Sequence, residues 1–321
     1  MKVVYMGTPD FAVKPLLKIH EAGHEILGVY TQPDRQKGRG KKFLPSDVKV
    51  AAEGLGLEIF QPEKLRDASE VERLKGMNPD IIVVAAYGQI LSEDILNIPK
   101  YGCINIHASL LPKYRGASPI EASILNGDEK TGITIMYMAK GLDTGDIISQ
   151  AEIEIGKHNT ESLTAALSEI GADLVVRTMD DIQAGNAKRI PQKDEESSYS
   201  GKLDKAMGRM VFEEDAAKLE RLIRGLYPWP CAFTEIEGKS VKILDADVIK
   251  TEELSDEKAK EMAAAEDVPA GTVIEVTKKY FLIKCKKDVL KINKLQPEGK
   301  KPMETVAFLN GYRLQTGVKV G

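Results

Sequence analysis

Two polar side chains, Asn105 and His107, stand one residue apart in a short apolar run and could do chemistry together. Ile104 and Ile106 alternate with them, and alternate residues of a β-strand face the same side of its sheet. We therefore predict an amide and an imidazole side by side at one strand end. Such N–H groups can stabilise an oxyanion. The alternative is a half-buried strand with two satisfied polar residues.

Asp143 is the third candidate, because it lies between Gly141 and Gly145 after a strand-like run over residues 131–138. Glycines let the backbone turn sharply and approach a ligand closely. A carboxylate there could orient an imidazole from another strand and accept a proton as part of general acid–base catalysis. An Asp between glycines is more often a plain turn residue, so the candidacy depends on pairing with Asn105 and His107.

The elements that must position these residues are predicted to form a Rossmann-like α/β domain. Residues 2–30 have a strand–helix–strand pattern, and the unbroken apolar run 80–85 is typical of a buried parallel strand. Ligands of open α/β sheets bind at the carboxyl ends of strands, where loop 86–91 lies; a plain strand-to-helix turn is the alternative there. No G-x-G-x-x-G occurs, so no dinucleotide site is predicted.

The domain organisation follows from composition along the chain. Residues 1–189 are predicted to form the α/β domain, closed by a long helix at 161–184. Residues 190–206 are polar and are interpreted as a linker. Residues 207–321 contain several short strands separated by turns, which suggests a small β-barrel. Within it, residues 251–267 are acidic and Ala-rich and are interpreted as an exposed helix of unassigned role.

Composition narrows the class of protein. The chain has 321 residues, 42% of them hydrophobic, and no apolar run approaches membrane-spanning length. A strand is predicted directly after Met1, so we expect no signal peptide. Three dispersed cysteines and four histidines indicate neither a disulfide framework nor a metal site, and we expect a cytoplasmic protein.

The motifs N105-I-H107, S109-L-L-P-K-Y-R-G116 and G141-L-D143-T-G145 resemble those of the folate-dependent formyltransferases, and the resemblance extends over essentially the whole chain. It implies that Asn105, His107 and Asp143 are catalytic and that 10-formyltetrahydrofolate is the formyl donor, without a metal. It implies that the second domain is an OB-like barrel. The folate-binding residues that the resemblance implies are Tyr87, Gly88, Gln89, Ile90, Leu91, Ser109, Leu110, Leu111 and Pro112.

A basic stretch indicates the acceptor. Five cations lie within the eight residues 35–42, among glycines and prolines that are expected to exclude regular structure. It resembles the loop that members acting on initiator methionyl-tRNA place at the acceptor end, which implies tRNA contacts by Arg39, Lys41 and Lys42. A solvated flexible loop is the alternative. Residues 271–321 carry 11 Lys and Arg against 4 Asp and Glu, which favours a second phosphate-binding surface.

Three functions therefore compete. The first, favoured by the basic loop and the second domain, is formylation of initiator methionyl-tRNA for translation initiation by a monomeric enzyme. The second is an amino-sugar nucleotide formyltransferase or a formyltetrahydrofolate hydrolase. The third is a protein that binds tRNA or folate without catalysis, which intact Asn105, His107 and Asp143 disfavour.

Overall fold

The computed structural model describes residues 1–37 and 42–321, and only the backbone of residues 37 and 42. Its strands are β1 Lys2–Gly7, β2 Glu25–Tyr30, β3 Arg35–Lys37, β4 Lys42–Leu44, β5 Ile59–Phe60, β6 Ile81–Ala85, β7 Cys103–His107, β8 Arg115–Gly116, β9 Lys130–Tyr137, β10 Ile147–Glu154, β11 Tyr199–Ser200, β12 Ala232–Ile236, β13 Lys239–Ile249, β14 Val273–Val276, β15 Phe281–Lys284, β16 Val289–Pro297 and β17 Met303–Glu304.

The helices are α1 Val13–Glu21, α2 Asp47–Gly54, α3 Ala68–Met77, α4 Glu93–Leu96, α5 Pro119–Asn126, α6 Thr160–Ala184, α7 Ala216–Gly225, α8 Glu257–Ala264 and α9 Thr305–Gly311. None of these described helices is long and apolar enough to span a membrane. The chain divides into two compact units: residues 1–119, 130–154 and 163–201 form the first, and residues 120–129, 155–162 and 202–321 form the second.

The first unit is built on a seven-stranded sheet in the order β10-β9-β7-β6-β1-β2-β5. β1 pairs in parallel with β2 and β6, and β6 with β7, whereas β9 runs antiparallel to β7 and β10 antiparallel to β9. β6 is buried at every position, as its unbroken apolar sequence predicts for a central parallel strand. The predicted α/β architecture is present, with an antiparallel extension at one edge.

The polar segment after α6 packs along the first unit. β11 pairs in parallel with β8, so that Tyr199 is opposite Arg115 and Ser200 is opposite Gly116. The backbone N–H of Arg115 donates to Ser198 O at 2.8 Å. This part of the segment interpreted from sequence as a linker therefore joins the loop that follows His107.

The basic stretch contains regular structure on both sides of residues 38–41. β3 and β4 pair antiparallel, with Arg35 opposite Leu44 and Gln36 opposite Phe43. The expectation that glycines and prolines exclude regular structure was wrong for these six residues, because the paired strands lie outside Gly38 and Gly40 and inside Pro33 and Pro45.

The second unit contains an open sheet rather than the predicted closed barrel. Its strands follow the order β12-β13-β16-β15-β14, with β17 paired to β16. The end strands β12 and β14 form no described ladder with each other. Instead, single bridges join Val320 to Ile236 and Lys319 to Thr272. The last residues of the chain thus contact both edges, and such single bridges leave no periodic signal in a sequence.

The acidic segment packs on this sheet through apolar side chains. Leu254 and Ala259 are buried in a cluster with Ile274, Leu282 and Val289. The Lys284 side chain is also buried, and its ammonium donates to the carbonyls of Met262 and Ala265 at the end of α8. A cation at a helix C-terminus is favourable. The segment 251–267 is therefore packed against the sheet of this unit, and the Lys284 ammonium binds that segment instead of adding to the exposed positive surface.

Candidate active site

β7 presents the two polar side chains that its alternating sequence predicts. Ile104 and Ile106 are buried in the sheet, while Asn105 and His107 share the opposite face. β7 pairs with β6 on one side and β9 on the other, so its position within the sheet is fixed from both sides. His107 is almost completely buried, and Asn105 is half-buried.

The third candidate reaches this pair from the loop between β9 and β10. Asn105 Nδ2 lies 3.5 Å from Asp143 Oδ1, and His107 Nδ1 lies 3.7 Å from Asp143 Oδ2. The backbone N–H of Gly116 donates to the same Oδ2 at 2.8 Å. The structure therefore brings Asn105, His107 and Asp143 together around one carboxylate, and adds a backbone donor to it.

The tautomer of neutral His107 follows from its second contact. His107 Nε2 lies 2.9 Å from the carbonyl oxygen of Tyr114. A carbonyl oxygen can only accept, so Nε2 carries the proton and donates it there. In the neutral ring, Nδ1 then presents its lone pair beside Asp143, and Nδ1 becomes a donor only when the ring is doubly protonated.

The Asp143 loop depends on an unusual backbone and a very close contact. Asp143 has a φ of 52°, a left-handed conformation that Asp adopts more readily than most residues. A Cβ at Gly145 would lie 1.7 Å from the carbonyl oxygen of Tyr137. Gly145 is therefore needed because the loop lies directly on the backbone of β9.

Neither a reactive thiol on β7 nor a metal centre accompanies these residues in the part of the chain that is described. Cys103 lies on the same face of β7, but burial raises the pKa of its thiol to about 12, so it is protonated at neutral pH and unreactive. Within residues 1–37 and 42–321, no group of three His, Cys, Asp or Glu side chains is placed to hold a metal ion.

The first predicted folate loop follows β6. Tyr87 and Leu91 are buried, and Gly88 has a φ of 88°. The Gln89 side chain ties the loop to the preceding segment, since its oxygen accepts from Leu65 N at 2.8 Å and its Nε2 donates to Pro62 O at 2.9 Å. Ile90 is 86% exposed, so the loop presents one apolar side chain outward while its other side chains anchor it.

The second predicted folate loop follows β7, and most of its side chains make contacts within the protein. Ser109 is fully buried, and its hydroxyl donates to Lys113 O at 2.6 Å. Leu111 packs with Met136 and Ile147. Leu110 and Pro112 are half-buried. The hydroxyl of Ser109 thus shapes its own loop.

The tRNA-binding candidates are placed only in part. Arg39 and Lys41 lie outside the described residues, as does the side chain of Lys42. Beside them, Phe43 is 67% exposed on β4. In the second unit, Lys278, Lys279, Lys286 and Lys287 are all exposed.

Sequence reasoning missed four contributors to the site: Tyr114, Arg115, Gly116 and Gln192. The first three lie in the quoted motif, where the glycine at position 116 was a visible signal of an unusual backbone or a close approach. The structure gives Gly116 a φ of 117°, and a Cβ there would lie 2.4 Å from Ser200 O. Gln192 gave no signal, because it lies in polar sequence 49 residues beyond Asp143 and contacts that loop only in the folded chain.

Comparisons with known proteins agree along the whole chain. Residues 1–179 match the family model described as formyl transferase, and residues 202–313 match formyl transferase, C-terminal domain. Methionyl-tRNA formyltransferase from Lachnospira eligens is 48% identical over 322 residues, covering 100% of both chains. The protein of that name from Clostridioides difficile is 43% identical, again covering 100% of both chains.

Solved structures share the fold at low identity. The N-formyltransferase from Helicobacter canadensis, in complex with folinic acid and dTDP-3-aminofucose, matches with a TM-score of 0.65 and 18% identity, covering 92% of this chain and 99% of that one. HypX from Aquifex aeolicus, in complex with tetrahydrofolic acid, has a TM-score of 0.63 and 15% identity, covering 96% of this chain and 47% of that one.

Both domains match formyl transferase models, and the curated relatives are 43–48% identical over the full length. This chain, with Asn105, His107 and Asp143 gathered beside β7, therefore belongs to the methionyl-tRNA formyltransferase family of formyl transferases.

Proposed function

We propose that this chain transfers the formyl group of 10-formyltetrahydrofolate to the amino group of methionine on initiator methionyl-tRNA, giving N-formylmethionyl-tRNA for translation initiation. The observation that carries the proposal is the convergence of Asn105, His107 and Asp143 on one face of the sheet. In this proposal the enzyme acts as a cytoplasmic monomer, with residues 1–189 as the catalytic domain and residues 207–321 as a tRNA-binding domain.

Asn105 and His107 would stabilise the charge that develops on the formyl oxygen. Attack of the amine on the formamide carbon places negative charge on that oxygen. The Asn105 amide has two N–H donors, and its 3.5 Å contact with Asp143 occupies at most one. His107 Nε2 is committed to Tyr114 O, so the imidazole would donate from Nδ1, in the doubly protonated ring.

Asp143 would accept the proton that the amine loses as the new C–N bond forms. Its Oδ2 is fixed by the Gly116 N–H at 2.8 Å and lies 3.7 Å from His107 Nδ1, a separation longer than a hydrogen bond. The proton taken up at Asp143 would then pass to the folate nitrogen as the old C–N bond breaks, while His107 keeps both of its ring protons. The chain thus supplies acid–base chemistry without a covalent intermediate.

The reduced folate would bind between the loops that contain Tyr87–Leu91 and Ser109–Pro112. The features that fit it are exposed apolar side chains: Ile90 is 86% exposed on the first loop, and Leu142, next to Asp143 in the sequence, is 60% exposed. Apolar walls with a few placed polar groups suit a flat heterocycle. A folate analogue should therefore raise the melting temperature of the protein by mass action.

The tRNA would be held at two places with different roles. Arg39, Lys41 and Lys42 would meet the acceptor end, whereas the exposed lysines of the second unit, including Lys286 and Lys287, would contact phosphates without regard to sequence. This division explains how a chain with a net charge of −4 could bind a polyanion.

The test is a mass-resolved formylation assay with 10-formyltetrahydrofolate and three acceptors: initiator methionyl-tRNA, free methionine and an amino-sugar nucleotide. We expect formylation of the charged tRNA alone. Preferred formylation of the sugar nucleotide, or formate release without any acceptor, would instead support the second function considered above. Folate binding with no turnover on any acceptor would support a binding protein.

A further inference from the structure

The Gln192 side chain joins the polar segment after α6 to the loop that carries Asp143. Its Nε2 donates to the carbonyl oxygens of Asp143 and Gly145, both at 2.8 Å. A primary amide has two N–H donors on one nitrogen, so this single side chain donates one hydrogen bond to each of the two carbonyl oxygens, at the first and last residues of the three-residue turn.

The other end of the same amide is held by a buried cation. Gln192 Oε1 accepts from Arg115 Nε at 3.0 Å, and Arg115 is 1% exposed. Arg115 also donates from Nη1 to Asp194 Oδ1 at 2.9 Å. Because Oε1 is fixed by Arg115, the amide cannot flip, and Nε2 is held toward the Asp143 loop.

Asp143 is therefore held at both its carboxylate and its backbone carbonyl, by two residues that each adjoin Arg115. Gly116, which directly follows Arg115, donates its backbone N–H to the Asp143 carboxylate, while Gln192, bound to Arg115, donates to the Asp143 carbonyl. The left-handed backbone at Asp143, with φ of 52°, costs energy and persists only when its surroundings hold it. Reactive groups must also be held within about 0.5 Å of their productive geometry.

We propose that Gln192 is a positioning residue for formyl transfer. Its amide links the carbonyls of Asp143 and Gly145 to the buried Arg115 and thereby sets the position of the Asp143 carboxylate. The inference rests on the proposed function, because it assumes that Asp143 takes part in catalysis. Gln192 contacts none of the reacting groups directly; it acts through the backbone of the loop.

The substitution Gln192→Glu tests this with almost no change of shape. It keeps an oxygen for Arg115 but replaces the N–H donors with an oxygen that faces two carbonyl oxygens. We expect kcat to fall by about 10- to 100-fold, the scale of a small misplacement of a catalytic group. KM for the folate donor and for the charged tRNA should stay within about twofold, because neither substrate is bound by Gln192.

The matched control is Glu196→Gln, the reverse exchange of carboxylate and amide in the same segment. Glu196 is exposed and pairs with Lys193 at 2.9 Å, so we expect parental kcat. Gln192→Met, which keeps the length without adding charge, should lower kcat like Gln192→Glu. Circular dichroism and thermal unfolding of each variant accompany the kinetics.

A folded Gln192→Glu or Gln192→Met variant with parental kcat would overturn the inference. So would a parallel rise of both KM values at unchanged kcat, or loss of the folded protein, since Gln192 would then support the domain as a whole. These results differ from failure of the proposed function, in which the parental protein itself would not formylate methionyl-tRNA.

Discussion

The backbone N–H of Gly116 lies 2.8 Å from Asp143 Oδ2, closer than either side chain with which Asp143 is expected to act. Asn105 stands 3.5 Å and His107 3.7 Å from that carboxylate. The Asp143 carboxylate is thus held mainly by the backbone of Gly116, and the contacts from the Asn105 amide and the His107 imidazole are longer and weaker. Removing His107 should for that reason leave Asp143 in place, so that each side chain can be tested separately.

We expect Asp143→Asn to lower kcat by about 10²- to 10⁴-fold, the range for loss of general acid–base catalysis. Asn tolerates the left-handed backbone and keeps an oxygen for the Gly116 N–H, but it cannot take a proton. His107→Ala should have a similar effect on kcat. In both variants the Kd for the charged tRNA should be unchanged, which filter binding measures. Near-parental turnover with weakened binding would contradict the assigned roles.

Gly145→Ala should destabilise the protein, because its Cβ would lie 1.7 Å from the backbone oxygen of Tyr137. We expect a loss of about 1–3 kcal/mol in the free energy of unfolding, as for other overpacked sites, together with a fall in kcat as the Asp143 loop moves. Urea denaturation measures the first effect. The control is Gly54→Ala at the end of α2, where nothing lies within 4 Å of the new Cβ; a loss there as large as at Gly145 would refute the steric argument.

Lys284→Met should loosen the acidic segment, because the carbonyls of Met262 and Ala265 would lose the buried ammonium. We expect a destabilisation of about 1–3 kcal/mol, the cost of unsatisfied buried polar groups, and faster proteolysis within residues 251–267. Lys286→Met, at an exposed position two residues away, is the control and should leave both unchanged. Equal proteolysis of the two variants would mean that Lys284 does not hold α8.

Arg39→Lys should strongly impair formylation of initiator methionyl-tRNA and leave folate binding intact. A planar guanidinium can stack on or hydrogen-bond an exposed terminal base, and lysine keeps the charge but loses that geometry. Neutralising two or three of Lys278, Lys279, Lys286 and Lys287 should instead weaken binding of every tRNA alike and flatten its salt dependence. Formylation assays on initiator and elongator methionyl-tRNAs separate the two effects. Parental behaviour of Arg39→Lys on both would remove the special role of this loop.

The sequence by itself determined the local elements and the face on which the polar pair lies. Alternation of Ile104 and Ile106 with Asn105 and His107 needs only the geometry of a strand, and the apolar run of β6 needs only burial on both sides. The Asp143 candidate was visible as well, because the glycines around it mark a close approach. Each of these signals is formed by residues that are adjacent in the sequence, so it can be recognised without the structure.

Only the tertiary structure decided how these parts are held. The Tyr114 carbonyl fixes the His107 tautomer, Gly116 fixes the Asp143 carboxylate, and Gln192 reaches the same loop from a segment that reads as a linker. The open sheet of the second unit, joined at its edges by single bridges at Val320 and Lys319, was equally invisible. The physical reason is shared: each is a contact of one or two groups between residues that lie apart in the sequence, and such a contact requires no periodic pattern of residue types around it.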